Sequence, residues 1–227
     1  MTSNPIKIVL IGNSNVGKSS IINQFLRKNS NEENMNFKGD KFTKQLKIKY
    51  NSKEENLIFE IWDSAGTEQF KSANNIFLKN AEIIIFVYDT TNLKSFEDLK
   101  NIWIPLVKKN LDFDKIIKCI CANKSDLYEN KEVQFEEAKK IQNDINAEIC
   151  EEIAATDYEC IEEIFMKCGK YYLEKKNFNK NDTVIEEKDN NQNPINNNHN
   201  ENSKKNSIES VKENQECCEC FKNCCIY

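Results

Sequence analysis

The chain has 227 residues, ten of them cysteine, is 30% charged and carries a formal net charge of −5. That length allows one domain, or one domain with a tail, and the acidic balance argues against general nucleic-acid binding. No run of 18 apolar residues exists to span a bilayer, and the opening MTSNPIKIVLIG is too short and too polar for a secretory signal, so the expectation is a cytosolic chain with reduced thiols.

Residues 6–11 (IKIVLI) read as a buried strand and 20–27 as a helix, with GNSNVGKS (12–19) between them. The pattern G-x-x-x-x-G-K-[ST] in that context is a P-loop. Gly12 and Gly17 permit turns that a Cβ would obstruct. The backbone N–H groups across Ser14, Asn15, Val16 and Ser20 then point inward at phosphate oxygens, at a helix N-terminus that favours negative charge. Lys18 reaches the terminal phosphates, and the Ser19 hydroxyl suits Mg²⁺.

Further strands are expected at 42–50, 57–62, 82–88, 116–122 and 148–153, with the polar stretch NSKEEN (51–56) turning the second into the third as a hairpin. Phe96, Leu99, Trp103 and Leu106 recur at helical spacing, as do Ile161, Ile164, Phe165, Cys168 and Tyr172. Both stripes read as faces packed on a sheet. Alternating strands and helices predict an α/β fold with a six-stranded, mainly parallel sheet flanked by about five helices. Ligands bind such a fold at the carboxyl ends of the strands. Cys119, Cys121, Cys150, Cys160 and Cys168 lie singly in apolar segments and read as small core hydrophobes.

Two motifs discriminate among P-loop proteins. In WDSAGTEQF (62–70), Asp63 is placed to hold Mg²⁺ and the Gly66 N–H to bond a γ-phosphate. In NKSD (123–126), the Asp126 carboxylate can accept two parallel hydrogen bonds from guanine, which adenine cannot donate. Asn123 and Lys124 would brace the loop and cover the base.

With these motifs in order at strand ends, residues 6–176 and the last four resemble the Rab family of small GTPases, in the Ras superfamily. The stretch 62–70 is similar to the Rab switch II signature, and VYDTTNLKSF (87–96) to the Rab fourth strand and its following helix. The resemblance implies a P-loop small G domain binding GTP and GDP with Mg²⁺ through Ser19 and Asp63. It implies effector contacts through Phe42, Trp62 and Phe77, and exchange and activating proteins as partners of a monomer. Ala154 and Ala155 fall where the family has its SAK loop, with the Ala155 N–H facing the guanine oxygen and Thr156 in place of the usual lysine.

Three positions depart from the pattern. Thr67 stands where the family's glutamine orients the attacking water, and it is shorter and has no amide, which predicts slow or partner-dependent hydrolysis. Aligning on Gly39 and Phe42 puts Phe37 at the switch I threonine that ligates Mg²⁺; Thr43 lies within the second strand, and a register using one of residues 34–36 is an alternative. Asn15 replaces a common P-loop glycine. Phe37 and Thr67 together support a second reading, a constitutively loaded pseudo-GTPase acting as a membrane-anchored binding module. A third, an ATPase or nucleoside kinase, is opposed by NKSD.

The domain is expected at residues 1–176. Residues 177–216, rich in Asn, Lys and Glu, lack the apolar groups to offset ordering entropy. They read as a disordered linker with a reach on the order of 35 Å. Residues 217–227 form a Cys-rich end. Rab-like chains commonly end in paired cysteines carrying two geranylgeranyl groups, which points to Cys224 and Cys225, to prenyl transfer machinery, and to the cytosolic face of endomembranes or vesicles with a cytosolic pool. CCIY (224–227) also fits a C-a-a-X box with Cys224 modified. Cys217, Cys218 and Cys220 are palmitoylation candidates, and a metal knot lacks the paired spacing of zinc sites.

Overall fold

The apolar run after the N-terminus becomes β1 (Ile6–Ile11), the central strand of a seven-stranded sheet in the computed structural model. Residues 4–27, 36–38, 41–64 and 77–189 are described, with backbone alone at 36–38 and 178–189. After β1 come α1 (Lys18–Arg27), β2 (Asn36–Lys38), β3 (Lys41–Tyr50), β4 (Lys53–Asp63) and β5 (Ile83–Asp89). A helix follows in three parts: α2 (Leu93–Asp98), a π-helical turn (Leu99–Trp103) and α3 (Ile104–Asn110). The rest is β6 (Ile117–Asn123), a 3₁₀ turn (Tyr128–Asn130), α4 (Phe135–Ile145), β7 (Ile149–Glu152) and α5 (Tyr158–Asp189).

The sheet order is β2-β3-β4-β1-β5-β6-β7. From β4 to β7 neighbouring strands run parallel, while β3 is antiparallel to β4 and β2 to β3. The mainly parallel α/β architecture and its six expected strands are present. The three-residue β2, too short to leave a pattern, adds a seventh at the edge.

The hairpin differs from the expectation. Its turn is only Asn51 and Ser52, with φ of 47° and 62°, and β4 begins at Lys53 rather than at 57. Two successive left-handed residues give the primed turn whose twist matches the strands. Opposite charges then face each other along the exposed end, as in Lys49 against Glu54, so polar residues extend the ladder.

Strand alternation splits the core in two. Ile8, Leu10, Phe59, Ile85, Val87, Cys119 and Cys121 face α1 (Ile22, Phe25) and α5 (Ile161, Phe165, Cys168). Val9, Ile11, Phe86, Tyr88 and Ile120 face the helix over 93–110 (Phe96, Leu99, Trp103) and α4 (Ala138, Ile141). Cys119, Cys121, Cys150 and Cys168 are buried as expected, but Cys160 is half-buried, its Sγ 3.2 Å from Asp157 at the start of α5.

α5 runs past residue 176 to Asp189. An established helix adds residues without a new nucleus, which is how the polar composition there can stay helical. The chain divides into two compact units, Met1–Glu186 and Glu187–Tyr227. Of the expected linker and Cys-rich end, everything from residue 190 lies outside the described residues. Among those described, no helix is long and apolar enough to cross a membrane.

Candidate functional site

The carboxyl ends of β1, β4, β5, β6 and β7 open on one edge of the sheet, and residues 12–19 leave β1 there. Gly12 has φ 156°, and a Cβ on it would stand 2.0 Å from the Val87 carbonyl oxygen of β5. Gly17 has φ 99°, and a Cβ there would stand 2.2 Å from Asn123 Nδ2. Between them Asn15 takes φ 64° with its side chain exposed. Asn tolerates the left-handed conformation better than most residues, so this departure from glycine leaves the loop's path intact.

Lys18 is 4% exposed, and its Nζ donates to the carbonyls of Gly12 (2.9 Å) and Asn13 (2.6 Å). Burial lowers its pKa to about 8, against the opposing pull of Asp63. At the mouth of α1, the exposed Ser19 hydroxyl donates to the Asp63 carboxylate at the end of β4. Ser20, one position on, is exposed in the first turn of α1.

Asn123 ties three segments together. It is 1% exposed; its Nδ2 donates to Val16 O (2.7 Å) and its Oδ1 accepts from Ala155 N (3.0 Å). The P-loop, the end of β6 and the loop after β7 therefore share one buried amide. The Ala155 N–H was expected to face a base; here it is directed at Asn123, because a buried amide oxygen needs a donor. Beside it Ser125 N donates to Ile153 O (3.1 Å), Asp157 N to Ala154 O (2.9 Å) and Gln24 Nε2 to Thr156 O (2.7 Å).

Lys124 adopts φ 64°, and its Nζ lies 2.6 Å from Asp89 at the end of β5. Burial works against the Asp89 charge, but hydrogen bonds from Lys124 and Thr91 outweigh it and hold the carboxyl below its ordinary range. Asp126 is exposed at the rim.

Of the three expected aromatic contact residues, the structure brings two together. Trp62 meets Phe77 edge to face, with ring centroids 5.6 Å apart. Phe42 pairs with Ile61 rather than with Trp62, and so packs on the opposite face of the sheet with the α1–α5 core. The residue across from Trp62 is Lys41. Lys41 Nζ lies 5.5 Å from the Trp62 ring centroid and 2.5 Å from Glu60, and Lys7 Nζ lies 4.2 Å from the same centroid. Glu60 also accepts from Trp62 Nε1 at 2.8 Å.

Sequence reasoning missed Lys7, Lys41, Asp89 and Asn13. The signal for Lys41 was the hairpin register: a two-residue turn at Asn51 and Ser52 places it opposite Trp62. Phe37 lies in β2, paired with Phe42. Gly66, Thr67, Cys224 and Cys225 lie outside the described residues.

The arrangement combines a tight turn through Gly12, Asn15 and Gly17 at positive φ, a buried cation, a hydroxyl beside a carboxylate, and an exposed carboxylate at the rim. Such a set suits a phosphorylated ligand whose other end lies over residues 124–126.

A family model described as Ras family matches residues 7–174. The Ras-related protein RabJ of Dictyostelium discoideum is 33% identical over 165 residues, 72% of this chain and 62% of that protein. The alignment thus spans less than two thirds of that relative. Ras-related protein Rab-4A of Mus musculus is 32% identical over 169 residues, 74% of this chain and 75% of the relative. Ras-related protein Rab-1 of Theileria parva is 32% identical over 170 residues, 74% of each.

Proposed function

The chain belongs to the Ras family, among its Rab-type small GTPases, and from that premise we propose that it is a guanine-nucleotide switch that recruits effectors in vesicular membrane traffic. The observation that carries this is the Asn123 junction, which joins the phosphate loop to the segment on either side of the base position. Lys18, poised on two loop carbonyls, turns to the terminal phosphates; Asp126 reads the guanine edge; Lys124, held by Asp89, covers the base. The Ser19 hydroxyl and Asp63 carboxylate are adjacent oxygen donors, the set a hard cation such as Mg²⁺ takes. Bound there, Mg²⁺ would neutralise charge on the phosphate oxygens.

Thr67 has no amide to orient water, so intrinsic hydrolysis is slow and an activating protein supplies what is missing. Trp62 and Phe77, with Lys7 and Lys41 at the ring, form the effector face. Cys224 and Cys225 carry two prenyl groups, enough for stable attachment to the cytosolic leaflet where one is marginal.

The test is nucleotide analysis of the purified protein, followed by single-turnover hydrolysis. Co-purified GDP or GTP, displaced by GTP and not by equal ATP, is expected. Hydrolysis at an ordinary Rab rate without a partner would overturn the slow-switch reading. Asp126→Asn should weaken guanine binding in favour of xanthine.

A second reading, a permanently loaded binding module, draws on Phe37: it sits in an edge strand paired to β3, where it offers no oxygen to a cation. Effector binding that is the same with GDP and a non-hydrolysable GTP analogue would favour it.

A further inference from the structure

The helix over 93–110 contains a π turn, and the turn serves a purpose at the phosphate loop. Pro105, in the first turn of α3, has no N–H to donate, and its ring crowds the carbonyl four residues back. The helix answers by widening: the Ile104 N–H reaches back five residues to Leu99 O. Residues five apart are separated by about 140° around an α-helix. In a π turn, which takes a little over four residues, they come to within about 50°. Asp98 and Trp103 are such a pair, one at each end of the widened turn.

Both grip the same side chain. Asn13 Nδ2 donates to Asp98 Oδ2 at 2.8 Å, and its Oδ1 accepts from Trp103 Nε1 at 2.7 Å. Trp103 is 4% exposed and packed in the core beneath. Lys94 Nζ lies 2.5 Å from the other Asp98 oxygen. The backbone carbonyl of Asn13 is one of the two that accept from Lys18. A helix widened into a π turn before its proline thus reaches, through two side chains, the residue whose carbonyl holds the phosphate lysine.

We propose that Asn13, Asp98 and Trp103 form a positioning clamp, set by the Pro105-induced π turn, that holds the phosphate loop in its binding shape and governs how long nucleotide stays bound. The clamp rests on the reading that residues 12–19 hold a nucleotide.

The experiment uses the full chain loaded with the fluorescent probe mant-GDP. Asn13→Asp keeps the acceptor for Trp103 but removes the donor to Asp98 and sets two carboxylates together. It should release mant-GDP about tenfold faster. Asp98→Asn alone loses an exposed pair with Lys94 worth little. Combined with Asn13→Asp, it recreates a donor–acceptor pair in reverse and should return release to within about twofold of the original chain. Pro105→Ala should relax the π turn and speed release about threefold. The emission of Trp103, taken as the difference between the original chain and Trp103→Phe, should shift in Asn13→Asp and recover in the double variant, with or without nucleotide.

Unchanged release in Asn13→Asp, or a double variant as fast as the single, would overturn the clamp. A chain that retains no mant-GDP but keeps the emission pattern would instead refute the nucleotide reading. If Asn13→Asp fails to fold, recovery of folding by Asp98→Asn reads the same pairing through stability, and failure to recover refutes it.

Discussion

Asn123 and Lys18 show how much of the site one residue can carry. Removing the Asn123 amide leaves the Val16 carbonyl and the Ala155 N–H without their partner, so Asn123→Ala should cost about 2–3 kcal/mol in urea unfolding. A loss under about 0.5 kcal/mol would mean that other groups take up both bonds. Lys18 gives a pH dependence with a definite sign. Its folded-state pKa is lowered from 10.5 to about 8 by burial. The folded chain therefore holds fewer protons than the unfolded chain between those values, and stability rises with pH across that window. Below about pH 8 the penalty is fully present. With nucleotide stripped by a chelator, the stability of the original chain relative to Lys18→Met should rise by about 2 kcal/mol from pH 8 to pH 10. A flat or falling difference would contradict the assignment. The residues of the loop were legible because their types are dictated by phosphate chemistry and by the backbone, as at Gly12 and Gly17. Asn13 and Asp89 were not, because each acts on a partner far along the chain, and a single sequence does not pair residue 13 with residues 98 and 103, or 89 with 124.

At the scale of elements, apolar runs placed the six longer strands within a few residues, and helical stripes placed α5 and the helix over 93–110. What they did not give was the two-residue length of the turn. A primed turn needs two left-handed residues, and asparagine followed by serine is a weak form of that signal beside asparagine followed by glycine. The polar stretch was therefore read as all loop, and the strand was started late. Ser52 at φ 62° pays the cost of a Cβ in the left-handed region. Ser52→Gly should therefore raise stability by about 0.5–1 kcal/mol, seen as a higher urea midpoint with an unchanged slope. A lower midpoint would show that the turn is held by something other than its dihedral angles. The π turn was equally hidden: Leu106 and Trp103 fit the helical spacing, and the widening follows from Pro105 only once the preceding helix is known to continue through it.

For the whole molecule, one glycine sets how closely a helix lies on the sheet. α5 approaches the β3–β4 hairpin through Gly169, where a Cβ would stand 2.0 Å from Ile48 Cδ1, 3.1 Å from Phe59 and 3.2 Å from Leu57. Alanine would gain about 1 kcal/mol of helix propensity but overpacks a site that resists expansion by about 1–3 kcal/mol. Gly169→Ala should be net destabilising by about 1 kcal/mol, and Ile48→Val, which removes the nearest methyl, should cancel most of that cost in a double-variant cycle. Additive losses would show that the helix shifts away instead. The strand order has a consequence of another kind. β1 is made before the other strands of the sheet, yet its two neighbours are β4 and β5, so it has no partner until the chain has grown to about Asp63 and lacks the second until about Asp89. Pairings at such separation form slowly. Meanwhile IKIVLI, with Lys7 as its single charge, is a short, strongly β-forming segment open to other chains. The residue that stacks over Trp62 in the finished sheet is thus also the one gatekeeper against aggregation while the sheet is still being made.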